Sequence, residues 1–146
     1  MASTAPNRRL HGHAATRRIE FSETDLAGVV HFSRFFVLME SAEDEFLHAL
    51  GASFTTDPDG NAWGWPKVSA SCDYRRPVRY GDRVDIVLRV AARSARTITY
   101  EFSFRRDGEE VARGRTVSAC CVRRPDGSYQ AVPIPASLAD RIETAR

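Results

Sequence analysis

The chain reads as an α+β domain built from one long helix and an antiparallel sheet of about five strands. Three observations predict this. Between Ser33 and Gly51 the apolar residues Phe35, Met39, Ala42, Phe46 and Leu50 recur at helical spacing, which paints one stripe for burial. Beyond Gly60 the apolar residues switch to alternate positions in four successive runs, the period of half-buried strands. A length of 146 residues makes room for one ordinary domain and not two.

Taken in order, residues 1–15 are polar and alanine-rich and read as a flexible N-terminal tail, so the domain is expected over residues 16–146. A first short strand is expected from Thr16 to Phe21, then a turn-rich stretch from Ser22 to Gly28. Ser33 is suited to cap the helix and Gly51 to end it in a left-handed turn, a span of about four to five turns. Asp57-Pro58-Asp59-Gly60 is a loop. Val68, Ala70, Cys72 and Tyr74 form one strand face; Val84, Ile86, Leu88 and Val90 the next; Ile98, Tyr100, Phe102 and Phe104 a third. Asp107-Gly108 makes a tight turn, and Val111 to Val122 returns as one long strand, completing a meander. Pro135 opens a short last helix in which Leu138 meets Ile142. One helix cannot cover both faces of such a sheet, so the free face or an edge strand is expected to meet a second chain.

Composition excludes several classes. Hydrophobic residues are 42% and charged residues 27%, the balance of a globular domain. The longest apolar run, Phe35 to Met39, is too short to cross a bilayer, and Met1 to Ala15 lacks the apolar centre of a secretory signal. The formal charge is +2, too balanced for a nucleic-acid binder. Lys67 is the sole lysine among 21 basic residues. Arginine donates in planar pairs, which favours phosphate-bearing ligands. Cys72, Cys120 and Cys121 have neither metal-ligand spacing nor a disulfide framework. They read as small buried side chains in a reducing compartment, with the cytoplasm expected.

Chemistry is concentrated in Phe21-Ser22-Glu23-Thr24-Asp25-Leu26-Ala27-Gly28-Val29-Val30-His31-Phe32. Here a carboxylate precedes a glycine, a short apolar run and a helix start. Gly28 permits a tight turn or the close approach of a ligand. The first N–H groups of the helix have no partner within it, and with the helix dipole they can hold a developing oxyanion. Asp25 could attack a carbonyl held there or deprotonate a water that does. The plain alternative is that Thr24-Asp25 only builds a turn.

Thr24-Asp25-Leu26-Ala27-Gly28-Val29-Val30, followed by an aromatic-rich helix with Glu40, resembles the signature of the 4-hydroxybenzoyl-CoA thioesterase family. Tyr74-Arg75-Arg76-Pro77-Val78-Arg79-Tyr80-Gly81-Asp82 looks like the family as well, although many hotdog proteins share that pattern. The resemblance covers roughly Arg17 to Val122. It implies a hotdog fold, in which the sheet wraps the long helix, and a homodimer or homotetramer with active sites between chains. It implies acyl-CoA hydrolysis without a metal or other cofactor, coenzyme A being part of the substrate.

Carried over residue by residue, the resemblance makes Asp25 the nucleophile or general base. The Val30 to Phe32 backbone supplies the oxyanion donors, and Gly28, Val29 and Val30 lie against the substrate. Many short-chain relatives carry a histidine where this chain has Phe32; here the histidine is His31, which either polarises the thioester or packs beside it. In another branch the helix supplies the carboxylate, so Glu40 or Glu43 could assist Asp25. Glu43 falls in the apolar arc and needs a partner, for which a salt bridge to an arginine across the dimer is preferred. Arg75, Arg76 and Arg79 could clamp the phosphates of coenzyme A or form a solvated turn. Trp63, Trp65, Phe35 and Phe36 could line an acyl pocket, with core packing the default. Two alternatives keep the fold: hydrolysis of acyl chains held on an acyl carrier protein, and a module that binds acyl-CoA without turnover.

Overall fold

The computed structural model describes residues 9–144. In chain order it contains β1 (Gly12–Arg18), a 3₁₀ turn (Phe21–Glu23), α1 (Arg34–Ala49), β2 (Lys67–Tyr74), β3 (Arg83–Arg93), β4 (Thr97–Arg106) and β5 (Glu109–Ala119). It closes with β6 (Cys121–Arg123), β7 (Tyr129–Ala131) and the single turn α2 (Ala136–Ala139). β1 to β5 form one antiparallel sheet in the order β1-β3-β4-β5-β2. Among the described residues no helix is long and apolar enough to cross a membrane.

The α+β class, the central helix and the five-stranded sheet agree with the sequence; three details do not. The first strand begins at Gly12, inside the expected tail, and ends at Arg18. Its backbone pairs with β3 from Gly12↔Arg89 to Arg18↔Arg83, and Leu10 bridges to Ile142. Residues 1–8 of the expected tail lie outside the described residues. The four later strands are not a plain meander. β3, β4 and β5 are, but β2 pairs with β5 at the far edge, because the Arg75–Asp82 connection carries the chain across the end of the sheet. The long strand expected to Val122 breaks at Cys120, and Cys121–Arg123 pairs with β7 in a separate ribbon.

The helix buries the expected stripe: Phe35, Met39, Ala42, Phe46 and Leu50 are all inaccessible, joined by Leu38 and Leu47. They pack on the inward faces of β3 and β4, where Ile86, Leu88, Tyr100, Phe102 and Phe104 are also buried. Each such side chain contributes about 1.5–3 kcal/mol on burial. Phe35 meets Phe104 edge-on at 5.2 Å, and Phe46 meets Tyr100 at 5.9 Å, geometries the ring quadrupoles favour. On β5, any side chain at Gly114 would overlap the Met39 thioether, so glycine lets the helix lie close to the sheet. Trp63 and Trp65 are buried edge to face at 5.1 Å, the core placement that was the default.

The helix ends as expected. Gly51 has φ +79, its N–H donates to His48 O at 3.0 Å, and Ala52 N–H reaches Leu47 O at 2.9 Å, the paired bonds of a glycine-stopped helix. The start differs. Ser33 holds the cap position, but its backbone is already helical and its side chain makes no capping bond; its hydroxyl is engaged by His31 instead.

Candidate active site

The Asp25 loop is a three-residue hairpin turn. Asp25 N–H donates to Val29 O at 2.8 Å, Gly28 N–H donates to Asp25 O at 3.0 Å, and Thr24 bridges Val30. Gly28 occupies the left-handed position, φ +79, as such loops require. A Cβ there would meet nothing within 4 Å, so the demand comes from the backbone angle. Asp25 Oδ1 accepts the Ala27 N–H at 2.8 Å and the Val29 N–H at 3.4 Å, the self-closing bond typical of aspartate in turns. Oδ2 accepts nothing from the described residues. The carboxylate thus builds the turn with one oxygen and leaves the other without a partner among the described residues.

Asp25 stands in the wall shared by two clefts. One, of about 360 Å³, is formed chiefly by Val29, Val30, Phe32, Phe35, Tyr74 and Val78, with Arg75 and Arg76 at its rim. The other, of about 610 Å³, is lined by Phe21, Thr24, Leu26, Gly28 and Tyr80. Phe21 and Tyr80 meet edge-on at 6.4 Å, and the Arg18 guanidinium lies 5.2 Å from the Tyr80 ring centre.

The backbone donors expected from Val30 to Phe32 are not all free. Val30 N–H is spent on Val78 O at 2.7 Å and His31 N–H on Glu23 O at 2.9 Å. These bonds lock the loop against the β2–β3 connection and the 3₁₀ turn. Phe32 N–H alone of the three has no acceptor among the described residues. The His31 carbonyl accepts the Arg34 N–H at 2.8 Å. Because N–H and C=O point oppositely across a trans peptide, the Phe32 N–H faces away from the helix.

His31 does not wall either cleft. Its Nδ1 lies 2.7 Å from Ser33 Oγ and 3.3 Å from Ser33 N. A backbone N–H can only donate, so Nδ1 accepts and the neutral ring carries its proton on Nε2. The ring stacks on Phe32 at 4.4 Å. Within the chain, His31 packs beside Phe32 and bonds Ser33.

The two helix glutamates part company with Asp25. Glu40 is exposed and lines a separate hollow with Val37, Ser41, Asp44 and Phe54. Glu43 is 1% exposed, and its carboxylate is held by Lys67 Nζ and, at 3.3 Å, by Ser118 Oγ. Where an arginine across a dimer was preferred, the cation found within the chain is Lys67, which β2 brings to the third turn of the helix. Burial raises the Glu43 pKa above the ordinary carboxylate value, and Lys67 opposes that shift.

Arg75 and Arg76 are exposed and already paired, with Glu110 at 2.9 Å and Glu109 at 2.8 Å. The Arg76–Glu109 pair is exposed on both sides and of the kind that contributes about 0–1 kcal/mol, whereas Glu110 is partly buried and also held by Ser103. Arg79 gives its backbone N–H to Asp82 Oδ2 at 2.8 Å; its guanidinium has no carboxylate within ion-pair distance among the described residues. That backbone bond, reinforced by Arg106, holds the Asp82 carboxyl below its usual pKa.

Sequence reasoning missed Tyr74 as part of the site. Its hydroxyl donates to Phe32 O at 2.8 Å, and its ring stands edge-on to Phe35 at 5.1 Å. Desolvation pushes its pKa up to about 12. Phe21 and Tyr80 were missed likewise. The cue was available in the second family-like stretch, which opens with Tyr74 and contains Tyr80.

One long helix on a five-stranded antiparallel sheet of this order is the hotdog fold. The chain belongs to the thioesterase-like superfamily, whose family model matches residues 19–142. A 1,4-dihydroxy-2-naphthoyl-CoA hydrolase of Synechococcus elongatus is 29% identical over 128 residues, which cover 87% of this chain and 92% of that protein. Among solved structures, a gentisyl-coenzyme A thioesterase superposes with a TM-score of 0.70 at 26% identity, over 86% of this chain and 95% of that one. A 1,4-dihydroxy-2-naphthoyl-CoA thioesterase from Synechocystis gives 0.74 over 88% of this chain and 96% of that one. At 23% identity it speaks for the fold alone.

Proposed function

We propose that the chain hydrolyses an acyl-CoA thioester whose acyl group carries an aromatic ring, with Asp25 as base or nucleophile. The observation that carries this reading is that one cleft wall holds both Asp25, with Oδ2 unpartnered, and Phe32, with its backbone N–H unpartnered. In this reading the thioester carbonyl oxygen accepts the Phe32 N–H, and its carbon meets the Asp25 carboxylate lining the same cleft. If Asp25 acts as base, it takes a proton from water as the water oxygen adds to the carbon. The C–S bond then breaks, and the thiolate leaves with that proton. If Asp25 attacks, an anhydride forms as thiolate departs, and water cleaves it to the acid and free Asp25. Both routes use the same oxygen.

The ring preference is supported by the walls, Phe32, Phe35 and Tyr74, and by the named relatives, whose naphthoyl and gentisyl groups are aromatic. Arg75 and Arg76 at the rim, with Arg79 further along the same connection, suit the phosphates of coenzyme A. The cleft is open on one side and β2 is an unpaired edge, so a second copy of the chain is part of this reading, as a dimer or tetramer.

The test is thiol release from benzoyl-, 4-hydroxybenzoyl-, acetyl- and hexanoyl-CoA, with benzoyl groups on acyl carrier protein as competitor. The aromatic CoA thioesters are expected to turn over fastest, and Asp25→Asn to lose about 10³-fold in kcat/KM. Equal activity in that variant would remove Asp25 from the chemistry. Preference for the carrier-protein substrate would change the carrier. Binding of acyl-CoA without turnover would make the chain a binding module.

A further inference from the structure

We propose that Tyr74 is a positioning residue for the oxyanion donor: its hydroxyl, anchored on the sheet edge, holds the Phe32 segment so that the Phe32 N–H meets the thioester oxygen. The inference rests on the preceding reading of Asp25 and Phe32.

Two peptide groups flank Phe32. In the first, between His31 and Phe32, the carbonyl is tied to Arg34 N–H at 2.8 Å and only the N–H is free. In the second, between Phe32 and Ser33, the carbonyl accepts the Tyr74 hydroxyl at 2.8 Å while the Ser33 N–H donates to His31 Nδ1 at 3.3 Å. Three of the four polar groups are therefore tied, and the fourth is the donor the reaction needs. Of the three ties, two are local, between residues two or three apart. Tyr74 alone reaches in from the sheet, across 42 positions.

Its own placement is firm. Tyr74 is the last residue of β2, its backbone paired with Ala112 of β5, and its ring braces Phe35 in the first turn of α1. Phe32 needs such a strut because its side chain is largely exposed and packs only on its neighbour His31, not on the core. A hydroxyl that loses its proton only near pH 12 remains a donor throughout the working range of a thioesterase. Oxyanion donors act through distance, and a displacement of about 1 Å is enough to cost about 100-fold.

The variant is Tyr74→Phe, which keeps the ring and removes one exposed hydrogen bond, a modest loss that a folded domain tolerates. Its kcat on benzoyl-CoA is expected to fall about 10- to 100-fold, with KM within about twofold and thermal unfolding little changed. A second measurement needs no turnover. In Asp25→Asn with benzoyl-CoA bound, the infrared thioester carbonyl stretch should lie below its value in water. Adding Tyr74→Phe should move it back toward that value.

A kcat equal to the parent's, or a loss that only follows the folded fraction, would overturn the positioning role, as would an unmoved carbonyl band. Failure of the underlying reading looks different: the parent itself would then hydrolyse none of the thioesters, or Asp25→Asn would match it.

Discussion

Asp25 and Glu43 are the same functional group in opposite settings. Asp25 sits in a turn at the surface, with one oxygen bonded by backbone N–H groups and the other left over. Glu43 sits under the helix at 1% exposure with both oxygens engaged, one by Lys67 and one by Ser118. An oxygen with spare capacity beside a cleft can do chemistry. A buried carboxylate with each oxygen already engaged has less capacity to spare. The contrast teaches that burial and open hydrogen-bonding capacity are separate properties of a carboxylate, and the proposed chemistry draws on the second.

The largest way to break the comparison is to remove charge from each side in turn. Asp25→Asn should cost about 10³-fold in kcat/KM with the melting temperature nearly unchanged, because the amide oxygen can still close the turn. Lys67→Met should do the reverse. It leaves Glu43 buried without its cation, which costs about 3 kcal/mol, the low end for breaking a buried pair, since the Lys67 side chain is 29% exposed. Calorimetry should show a melting temperature lower by about 10 °C, while kcat of the folded enzyme stays near the parent's. A large loss of kcat with normal stability would instead bring Glu43 into the chemistry.

A smaller effect sharpens the electrostatics. Burial raises the Glu43 pKa in the folded state, with Lys67 opposing. The folded state therefore holds that proton more tightly than the unfolded state. The stability it contributes is complete below the ordinary glutamate value of 4.5 and is lost as pH rises through the raised folded value. Urea unfolding should show the parent losing stability relative to Glu43→Gln as pH climbs from 4.5. A difference that grew in the other direction would mean that Lys67 outweighs burial.

The smallest effect on stability is local. Gly28→Ala meets no steric neighbour but must adopt φ +79, at about 1–2 kcal/mol. The turn that aims Asp25 would relax, so urea unfolding should show that modest loss and thiol release a clear fall in kcat. Unchanged activity would mean that the turn geometry is not needed.

The Asp25 turn was legible because its pairings join residues at most eight apart, and Asp25, Gly28 and the helix start appear in order along the chain. The fold class was legible because the apolar period changes from helical to alternating at the end of α1. The misreadings came from elsewhere. Alternation tells which face of β2 is apolar but not which strand it joins, and the pairing with β5 is a matter of how the Arg75–Asp82 connection crosses the sheet. The donors at Val30 and His31 were expected to be free, yet Val78 and Glu23 take them, acceptors that no local pattern announces.

The sequence by itself therefore determined the helix, the strand periods, the family and the carboxylate turn, since each depends on residues near one another along the chain. Only the tertiary structure decided that Lys67 answers Glu43, that Phe32 keeps the one open N–H of its segment and that Tyr74 braces it. Those outcomes depend on strand order and register, and a hydrogen bond between residues 24 or 42 positions apart exists only once both are set.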